Sequence, residues 1–211
     1  SLEDEKIYDI PMLLIIGWRG EPGVKDEPQH ITQGELTLPL LDTMHVPYAI
    51  IDETWEQQLD NAIRYIHEHN GRYALIVRKG TFSEPHIAPE YQQLPLPLSR
   101  EEAITTIVTS TDTKDKIVAT TGMISRELFE LREHQHAGHA NDFLTVGGMG
   151  HASQIALTIA LQHPEQRIWC LDGDGAVLMH MGGMAIIANS EANNLVHVVL
   201  NNGAHDSVGG Q

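Results

Sequence analysis

Short apolar runs alternate with amphipathic segments along the first 80 residues of the chain. The runs at 11–17, 46–51 and 72–77 are bounded by glycine or polar residues, which is typical of parallel strands buried on both faces. The segments between them have apolar residues at helical spacing, although Pro39 predicts an irregular interior in the first. Gly71 is predicted to end the second helix. The pattern therefore predicts a β-α-β-α-β series.

The same alternation resumes after Ser99 and continues to the end of the chain. Ser99, followed by Glu101 and Glu102, predicts the start of a helix. Strands are then predicted at 116–122, 142–148, 167–173 and 195–202. Helices are predicted between them at 125–134, 151–162 and 177–192. This order predicts an α/β fold with doubly wound parallel sheets, in which ligands bind at the carboxyl ends of the strands.

A proline-rich segment separates the two series. Residues 81–97 hold four of the ten prolines in the chain and show no clear periodicity, which is the composition of a linker. We therefore predict a first domain at residues 1–80, a linker at 81–98 and a second domain at 99–211.

The net charge of the chain and the length of its apolar stretches disfavour some classes of binding partner. Thirteen Lys and Arg residues against 29 Asp and Glu give a net charge of −16, which disfavours binding to nucleic acid or to an anionic membrane. No stretch reaches the roughly 20 apolar residues of a membrane span, and the start of the chain lacks the apolar core of a signal peptide. We therefore expect a cytoplasmic protein, with its single cysteine, Cys170, buried as a small apolar residue.

Glycine-rich turns follow four of the predicted strands, and two of these turns carry oxygen ligands. The turn Gly173–Asp174–Gly175 opens a predicted helix, so that backbone N–H groups can face an anion while the carboxylate faces a cation. Magnesium bound to a diphosphate fits both demands. The 25 residues between Gly175 and Asn201 suffice for a helix and a strand that returns to the same sheet edge. The two turns are therefore predicted to be neighbours.

These motifs resemble a known family. The Gly173–Asp174–Gly175 turn, the 25-residue spacer and Asn201–Asn202 match the GDG…NN motif of thiamine-diphosphate-dependent 2-oxo acid decarboxylases. The stretches IGWRGEPGVKDEPQH, TTGMISREL and GGMGHASQIALTIA are similar to the phosphonopyruvate-specific branch of that family. The resemblance covers essentially the whole chain. It implies the C-terminal part of a pyrimidine-binding (PYR-like) domain, the linker, and a diphosphate-binding (PP-like) domain.

The resemblance also implies roles for individual residues. Mg²⁺ would be bound by Asp174, the side chain of Asn202 and the carbonyl of Ala204. Met149 would shape the bound cofactor, and the Gly147 carbonyl would accept a hydrogen bond from its amine. Thiamine diphosphate would be contacted by Gly122, Gly147, Met149, Gly173, Gly175, Ala176 and Asn202.

Three cationic side chains are candidates for binding a doubly charged substrate. Arg19 and His30 lie in a loop after the first strand, and Arg126 follows the TTG turn. A guanidinium suits the recognition of a substrate anion. The alternative is that these groups form salt bridges with the acidic surface.

The activity implied is decarboxylation of 3-phosphonopyruvate to phosphonoacetaldehyde and CO₂ by a homodimer or homotetramer. The family's activating glutamate is expected on a segment that precedes Ser1, because no equivalent is found among these residues. The chain is accordingly expected to be a fragment that lacks the start of the PYR-like domain and the end of the PP-like domain. Two alternatives stay open: a decarboxylase for sulfopyruvate or another 2-oxo acid, and a non-catalytic fragment or subunit that binds the cofactor.

Asp172 and a histidine-rich tract allow further interpretations. Asp172–Gly173–Asp174–Gly175 also matches the nucleophile motif of haloacid-dehalogenase phosphatases, but we expect Asp172 to hydrogen-bond the turn. The tract with His134, His136 and His139 permits a zinc site. Because no cysteine or acidic partner stands at fixed spacing, a solvated helix end is the favoured interpretation.

Overall fold

Apolar runs form the strands of two parallel sheets, one in each half of the chain. The structure, a computed structural model, describes residues 10–83 and 97–205. The chain divides into two units, Ser1–Glu90 and Tyr91–Gln211. This division falls within the predicted linker 81–98, most of which lies outside the described residues.

The first unit contains a three-stranded parallel sheet. Its strands are β1 (Met12–Gly17), β2 (Tyr48–Ile50) and β3 (Arg72–Val77), in the order β1-β3-β2. A 3₁₀ turn, Pro28–His30, leads into α1 (Ile31–Thr43), and α2 (Trp55–His69) connects β2 to β3. A core cluster of Leu41, Val46, Ala74 and Ile76 joins α1 to the sheet. The β-α-β-α-β series is therefore confirmed.

Helix α1 contains Pro39 and continues past it to Thr43. The end of α2 differs from the sequence prediction. Helix α2 ends at His69, and its C-cap, Asn70, takes the left-handed conformation (φ 47°) one residue before the predicted Gly71. Asparagine can occupy this position because its short polar side chain tolerates a positive φ.

The second unit contains a four-stranded parallel sheet in the order β5-β4-β6-β7. Its strands are β4 (Lys116–Ala119), β5 (Asp142–Leu144), β6 (Ile168–Gly173) and β7 (Leu195–Leu200). Its helices are α3 (Arg100–Ser110), α4 (Met123–Gln135), α5 (Ala152–Gln162), α6 (Asp174–Met179) and α7 (Gly183–Ala188). Ser99 caps α3 as predicted, since its side chain accepts a hydrogen bond from the N–H of Glu102.

Helices cover both faces of this sheet. One core cluster joins α3 and α4 to alternate sheet residues such as Ile117 and Leu171. A second cluster joins α5 to the intervening residues, which include Val118 and Cys170. The doubly wound α/β fold is therefore confirmed for the second unit. In the described part of the chain, no helix is both long and apolar enough to cross a membrane.

The helix predicted over 177–192 is wrong, because the segment forms two short helices. Helix α6 ends at Met179, and His180 leaves the helical conformation with φ −138° and ψ 43°. Helix α7 begins only at Gly183. The pair Gly182–Gly183 follows this break, and glycine weakens a helix because it loses the most backbone freedom when it is held in one.

Candidate functional site

A cavity of about 550 Å³ opens at the carboxyl ends of the strands in the second unit. It is lined by residues from the turns after β4, β5, β6 and β7, together with the start of α3. Its walls include eight of the residues predicted from the sequence, namely Gly122, Met149, Gly173, Asp174, Gly175, Ala176, Asn202 and Ala204. The sheet therefore brings to one place residues that are widely separated in the chain.

The turns after β6 and β7 are joined directly by hydrogen bonds. The N–H of Gly203 donates to Oδ2 of Asp174 at 3.2 Å and to Oδ1 of Asn201 at 2.8 Å. This N–H is directed toward the GDG turn because Gly203 has a φ of 72°, which residues other than glycine rarely adopt. The N–H of Ala204 donates to Oδ1 of Asn202 at 3.1 Å. The predicted meeting of the two turns is observed.

The oxygen atoms at this junction suit a hard cation. A carboxylate, an amide oxygen and a backbone carbonyl are the ligands that Mg²⁺ takes from proteins, with phosphate and water completing its shell. Among the described residues, Asp174 forms no ion pair; its oxygens accept only backbone N–H groups, from Gly175 and Gly203. The carboxylate charge is therefore not compensated by a neighbouring cation.

Two buried polar atoms in the cavity wall have no hydrogen-bond partner among the residues that the structure describes. They are Oγ1 of Thr120 and Nε2 of His205. The His205 ring also lies against Gly175, where an added Cβ would come within 2.6 Å of it. Unsatisfied buried polar atoms are costly, and a polar ligand in the cavity would provide both with a partner. Neither residue was identified from the sequence, which gives no signal for an unpaired atom.

The remaining glycine turns position the cavity wall. The N–H of Gly147 donates to Oγ1 of Thr121 at 3.0 Å, although Gly147 does not itself line the cavity. At Gly150, an added Cβ would lie 3.0 Å from the Ala176 carbonyl oxygen. Gly122 takes a φ of 99° at the start of α4. The turns after β4 and β5 therefore lie close to the start of α6.

Arg100 at the start of α3 brings an ion pair to the cavity edge. Its guanidinium donates two hydrogen bonds to the Glu127 carboxylate, at 2.8 and 2.6 Å. Glu127 is buried, with 8% of its side chain exposed. The pair fixes α3 against α4, and so holds this part of the cavity wall in place.

Two of the three substrate candidates, Arg19 and His30, belong to the first unit, and Arg126 belongs to the second. In the first unit, Nε and Nη2 of Arg19 donate to Asp26 at 3.0 and 2.8 Å, and Nη2 also lies 3.0 Å from Nδ1 of His30. In the second unit, Arg126 is exposed on α4 and is not among the residues that line the cavity. The role of all three in substrate binding stays a prediction.

Asp172 does not line the cavity. It is 1% exposed, its Oδ1 accepts the N–H of Gly173 at 3.1 Å, and its Oδ2 lies 3.2 Å from Nε2 of His197. The expected bond to the turn is therefore present, and burial leaves the carboxylate inaccessible to a phosphate ester. Cys170 is fully buried as predicted, and this burial raises the pKa of its thiol.

The histidine-rich tract shows no metal-binding geometry. Nε2 of His139 lies 2.8 Å from Glu133, and its ring stacks on Phe129. Within residues 10–83 and 97–205, the one group of three or more His, Cys, Asp or Glu side chains close enough to share an ion is Cys170, Asp172 and His197. The zinc interpretation of the tract is therefore not supported.

Comparison with known proteins places this site in a family. Residues 120–211 match the model described as thiamine pyrophosphate enzyme, C-terminal TPP binding domain. The chain is 34% identical to a phosphonopyruvate decarboxylase of Streptomyces viridochromogenes, over 96% of this chain and 54% of that enzyme. It is 31% identical to the phosphonopyruvate decarboxylase of Streptomyces hygroscopicus, over 96% of this chain and 53% of the relative.

A second group of relatives is named sulfopyruvate decarboxylase. The sulfopyruvate decarboxylase subunit beta of Methanothermobacter thermautotrophicus is 37% identical over 54% of this chain and 58% of that subunit. The chain thus spans about half the length of the curated relatives it matches. The joined GDG and NN turns line the cavity at the sheet edge, and both turns lie within the residues that match the family model. Residues 120–211 therefore form a domain of the family described as thiamine pyrophosphate enzyme, C-terminal TPP binding domain.

Proposed function

We propose that this protein binds thiamine diphosphate with Mg²⁺ and decarboxylates a 2-oxo acid. The observation that carries the proposal is the meeting of Asp174 with the turn after β7, through the Gly203 N–H. It unites the carboxylate, amide and carbonyl oxygens that the family motif assigns to the metal. The relatives named as decarboxylases support the reaction class.

The chain's own residues would hold the cofactor rather than react. Asp174, the Asn202 amide oxygen and the Ala204 carbonyl would bind the metal, and Gly175 and Ala176 would leave backbone room for the diphosphate. Thr120 and His205 would supply the hydrogen-bonding atoms that are unpartnered in the cavity wall. The bound cofactor would supply the electron sink for loss of CO₂.

We propose 3-phosphonopyruvate as the substrate and phosphonoacetaldehyde as the product. In support, two relatives named phosphonopyruvate decarboxylase match 96% of the chain at 34% and 31% identity. Sulfopyruvate is the second candidate, because a sulfopyruvate decarboxylase matches the same share of the chain at 28% identity, and sulfopyruvate decarboxylase subunits beta match about half of it at up to 37% identity. Both substrates are small anionic 2-oxo acids, so the cofactor site alone does not separate them.

The proposed function is tested by measuring CO₂ release from each of the two substrates with added thiamine diphosphate and Mg²⁺. A higher kcat/KM for 3-phosphonopyruvate, with formation of phosphonoacetaldehyde, is the expected result. A higher kcat/KM for sulfopyruvate would make sulfopyruvate the proposed substrate. The proposed reaction, decarboxylation of a 2-oxo acid, would stay the same. Binding of cofactor without turnover of either would favour a non-catalytic subunit.

We also propose that the protein acts as a homodimer or homotetramer. The relatives named as a subunit beta support an assembly of more than one chain. Light scattering of the purified protein measures the assembly, and a monomeric mass would contradict it.

A further inference from the structure

Three polar side chains lie together in the core beneath the two ligand-bearing turns. Cys170 and Asp172 are two residues apart on β6 and therefore share a face of the sheet, and Cys170 is paired in register with His197 on β7. Cys170 is 0% and Asp172 1% exposed, and 10% of the His197 side chain is exposed. Their ligand atoms all lie within 4.8 Å of one another. The proposed cofactor site uses none of them.

Asp172 connects this core group to the turn that carries the metal ligand. Its Oδ1 accepts the N–H of Gly173, at 3.1 Å. Its Oδ2 lies 3.2 Å from Nε2 of His197. One carboxylate thus contacts both the turn after β6 and the strand that leads to the turn after β7. Polar groups are buried at a cost unless they are hydrogen-bonded, and these two contacts satisfy both oxygens of the Asp172 carboxylate.

The third member of the group takes no part in this connection. Burial, and then the negative charge of Asp172, raise the pKa of the Cys170 thiol. The thiol is therefore protonated and a poor metal ligand. Asp172 and His197 remain as the two side chains that contact one another between β6 and β7.

We infer that Asp172 and His197 are positioning residues for the metal ligands of the proposed site. This inference rests on the proposed function. Asp174 follows Asp172 by two residues and Asn202 follows His197 by five, so the pair stands where the two ligand-bearing segments leave the sheet. Mg²⁺ requires a near-octahedral arrangement at short distances. A small displacement of one turn relative to the other would therefore weaken metal binding.

Substitutions of Asp172 and His197 distinguish an effect on metal binding from an effect on the stability of the protein. The purified protein is saturated with thiamine diphosphate and titrated with Mg²⁺ by calorimetry, at a temperature where circular dichroism shows each variant to be folded. Asp172→Ala and His197→Phe are each expected to raise the half-saturating Mg²⁺ concentration by about 10-fold or more, the range found when groups that orient metal ligands are removed. The double variant is expected to be little worse than either single variant, because the two residues act through one contact.

Two further variants serve as controls. Cys170→Ala removes an equally buried side chain on the same face, and is expected to lower the melting temperature without changing the Mg²⁺ requirement. Asp172→Asn is expected to bind Mg²⁺ better than Asp172→Ala, because the amide can accept from Gly173 and donate to the imidazole.

The outcomes distinguish this inference from the proposed function. If the wild type shows Mg²⁺-dependent cofactor binding that Asp174→Ala removes, while Asp172→Ala and His197→Phe behave like Cys170→Ala, the pair is only structural and the inference alone is overturned. If the wild type does not bind the cofactor with Mg²⁺, the proposed function fails and the inference fails with it.

Discussion

The two units each place an aspartate near a strand end, and the two carboxylates differ in how fully they are satisfied. Asp26 in the first unit accepts hydrogen bonds from Arg19 and from the N–H groups of Gly20 and Glu27, and contacts His30. Asp174 in the second unit accepts only backbone N–H groups among the described residues, beside a cavity with two unpartnered polar atoms. Charge near a strand end is therefore not enough to mark a site. Unsatisfied polar atoms around a cavity are the better sign.

This difference changes the interpretation of the first unit. Arg19, which was predicted to bind substrate, already uses two of its nitrogen atoms on Asp26. These contacts organise the loop between β1 and α1. Any role for Arg19 in substrate binding would require the guanidinium to keep this pairing and present its remaining donors.

The largest expected effect is on cofactor binding. Asp174→Ala removes the carboxylate at the junction of the two turns, so Mg²⁺-dependent binding of thiamine diphosphate is expected to fall below detection by calorimetry. Asp26→Ala removes a carboxylate that is paired in the first unit, and is expected to leave binding unchanged. Equal losses of cofactor binding in the two variants would contradict the difference between the Asp174 and Asp26 carboxylates.

The second effect is on the stability of the cavity wall. Glu127→Ala removes a buried carboxylate, and with it the bidentate acceptor of the Arg100 guanidinium. We expect the free energy of unfolding to fall by about 2 to 3 kcal/mol, measured by urea denaturation. Glu130→Ala, at an exposed position on the same helix, should change it by less than about 0.5 kcal/mol. Equal free energies of unfolding for the two variants would show that the ion pair does not stabilise the fold.

A smaller effect is expected at Gly175. An added methyl group would lie 2.6 Å from the His205 ring, and overpacking of this kind costs about 1 to 2 kcal/mol. Because Gly175 is within a helix, alanine is otherwise favoured there. The double variant Gly175→Ala/His205→Ala should therefore melt at a higher temperature than Gly175→Ala alone. A lower melting temperature for the double variant would exclude the proposed clash.

The smallest effect is the pH dependence of the first unit. The hydrogen bond from Arg19, and then the contact with His30, hold the pKa of Asp26 far below its usual range. A carboxylate with a lowered pKa stabilises the fold above its unfolded pKa of about 4, and this contribution is lost as the pH falls toward the folded value. The urea midpoints of wild type and Asp26→Asn should thus differ at pH 7 and converge toward pH 3.

Tryptophan fluorescence reports the urea midpoints in this experiment, since Trp18 and Trp55 lie in the first unit. Asp60→Asn, at an exposed position on α2, is the matched control and should show no such convergence. A gap between wild type and Asp26→Asn that stays constant with pH would show that the Asp26 carboxylate is not stabilised by its neighbours.

Features set by local sequence were predicted well. Apolar runs identified the strands, Ser99 identified the start of α3, and the 25-residue spacer led to the meeting of the GDG and NN turns. Each of these depends on residues that are adjacent in the chain, or on the rule that parallel strands end at one edge. The architecture and most of the residues in the cavity wall could therefore be predicted from the sequence.

Features set by contacts between distant residues were not predicted. The pairing of Asp172 with His197 depends on the register of β6 against β7, and the packing of His205 on Gly175 depends on the path of the last loop. The break between α6 and α7 was missed because glycine is tolerated in some helices and only the tertiary setting decides. These residues act through contacts that no local pattern encodes.

The most direct test of the central claim is a calorimetric titration of thiamine diphosphate into the wild-type protein, with Mg²⁺ and with the metal removed by a chelator. We expect saturable binding that requires Mg²⁺, because Asp174 and Asn202 would hold the metal that neutralises the charge of the diphosphate. Binding that is equally strong without metal, or no binding in either condition, would contradict it.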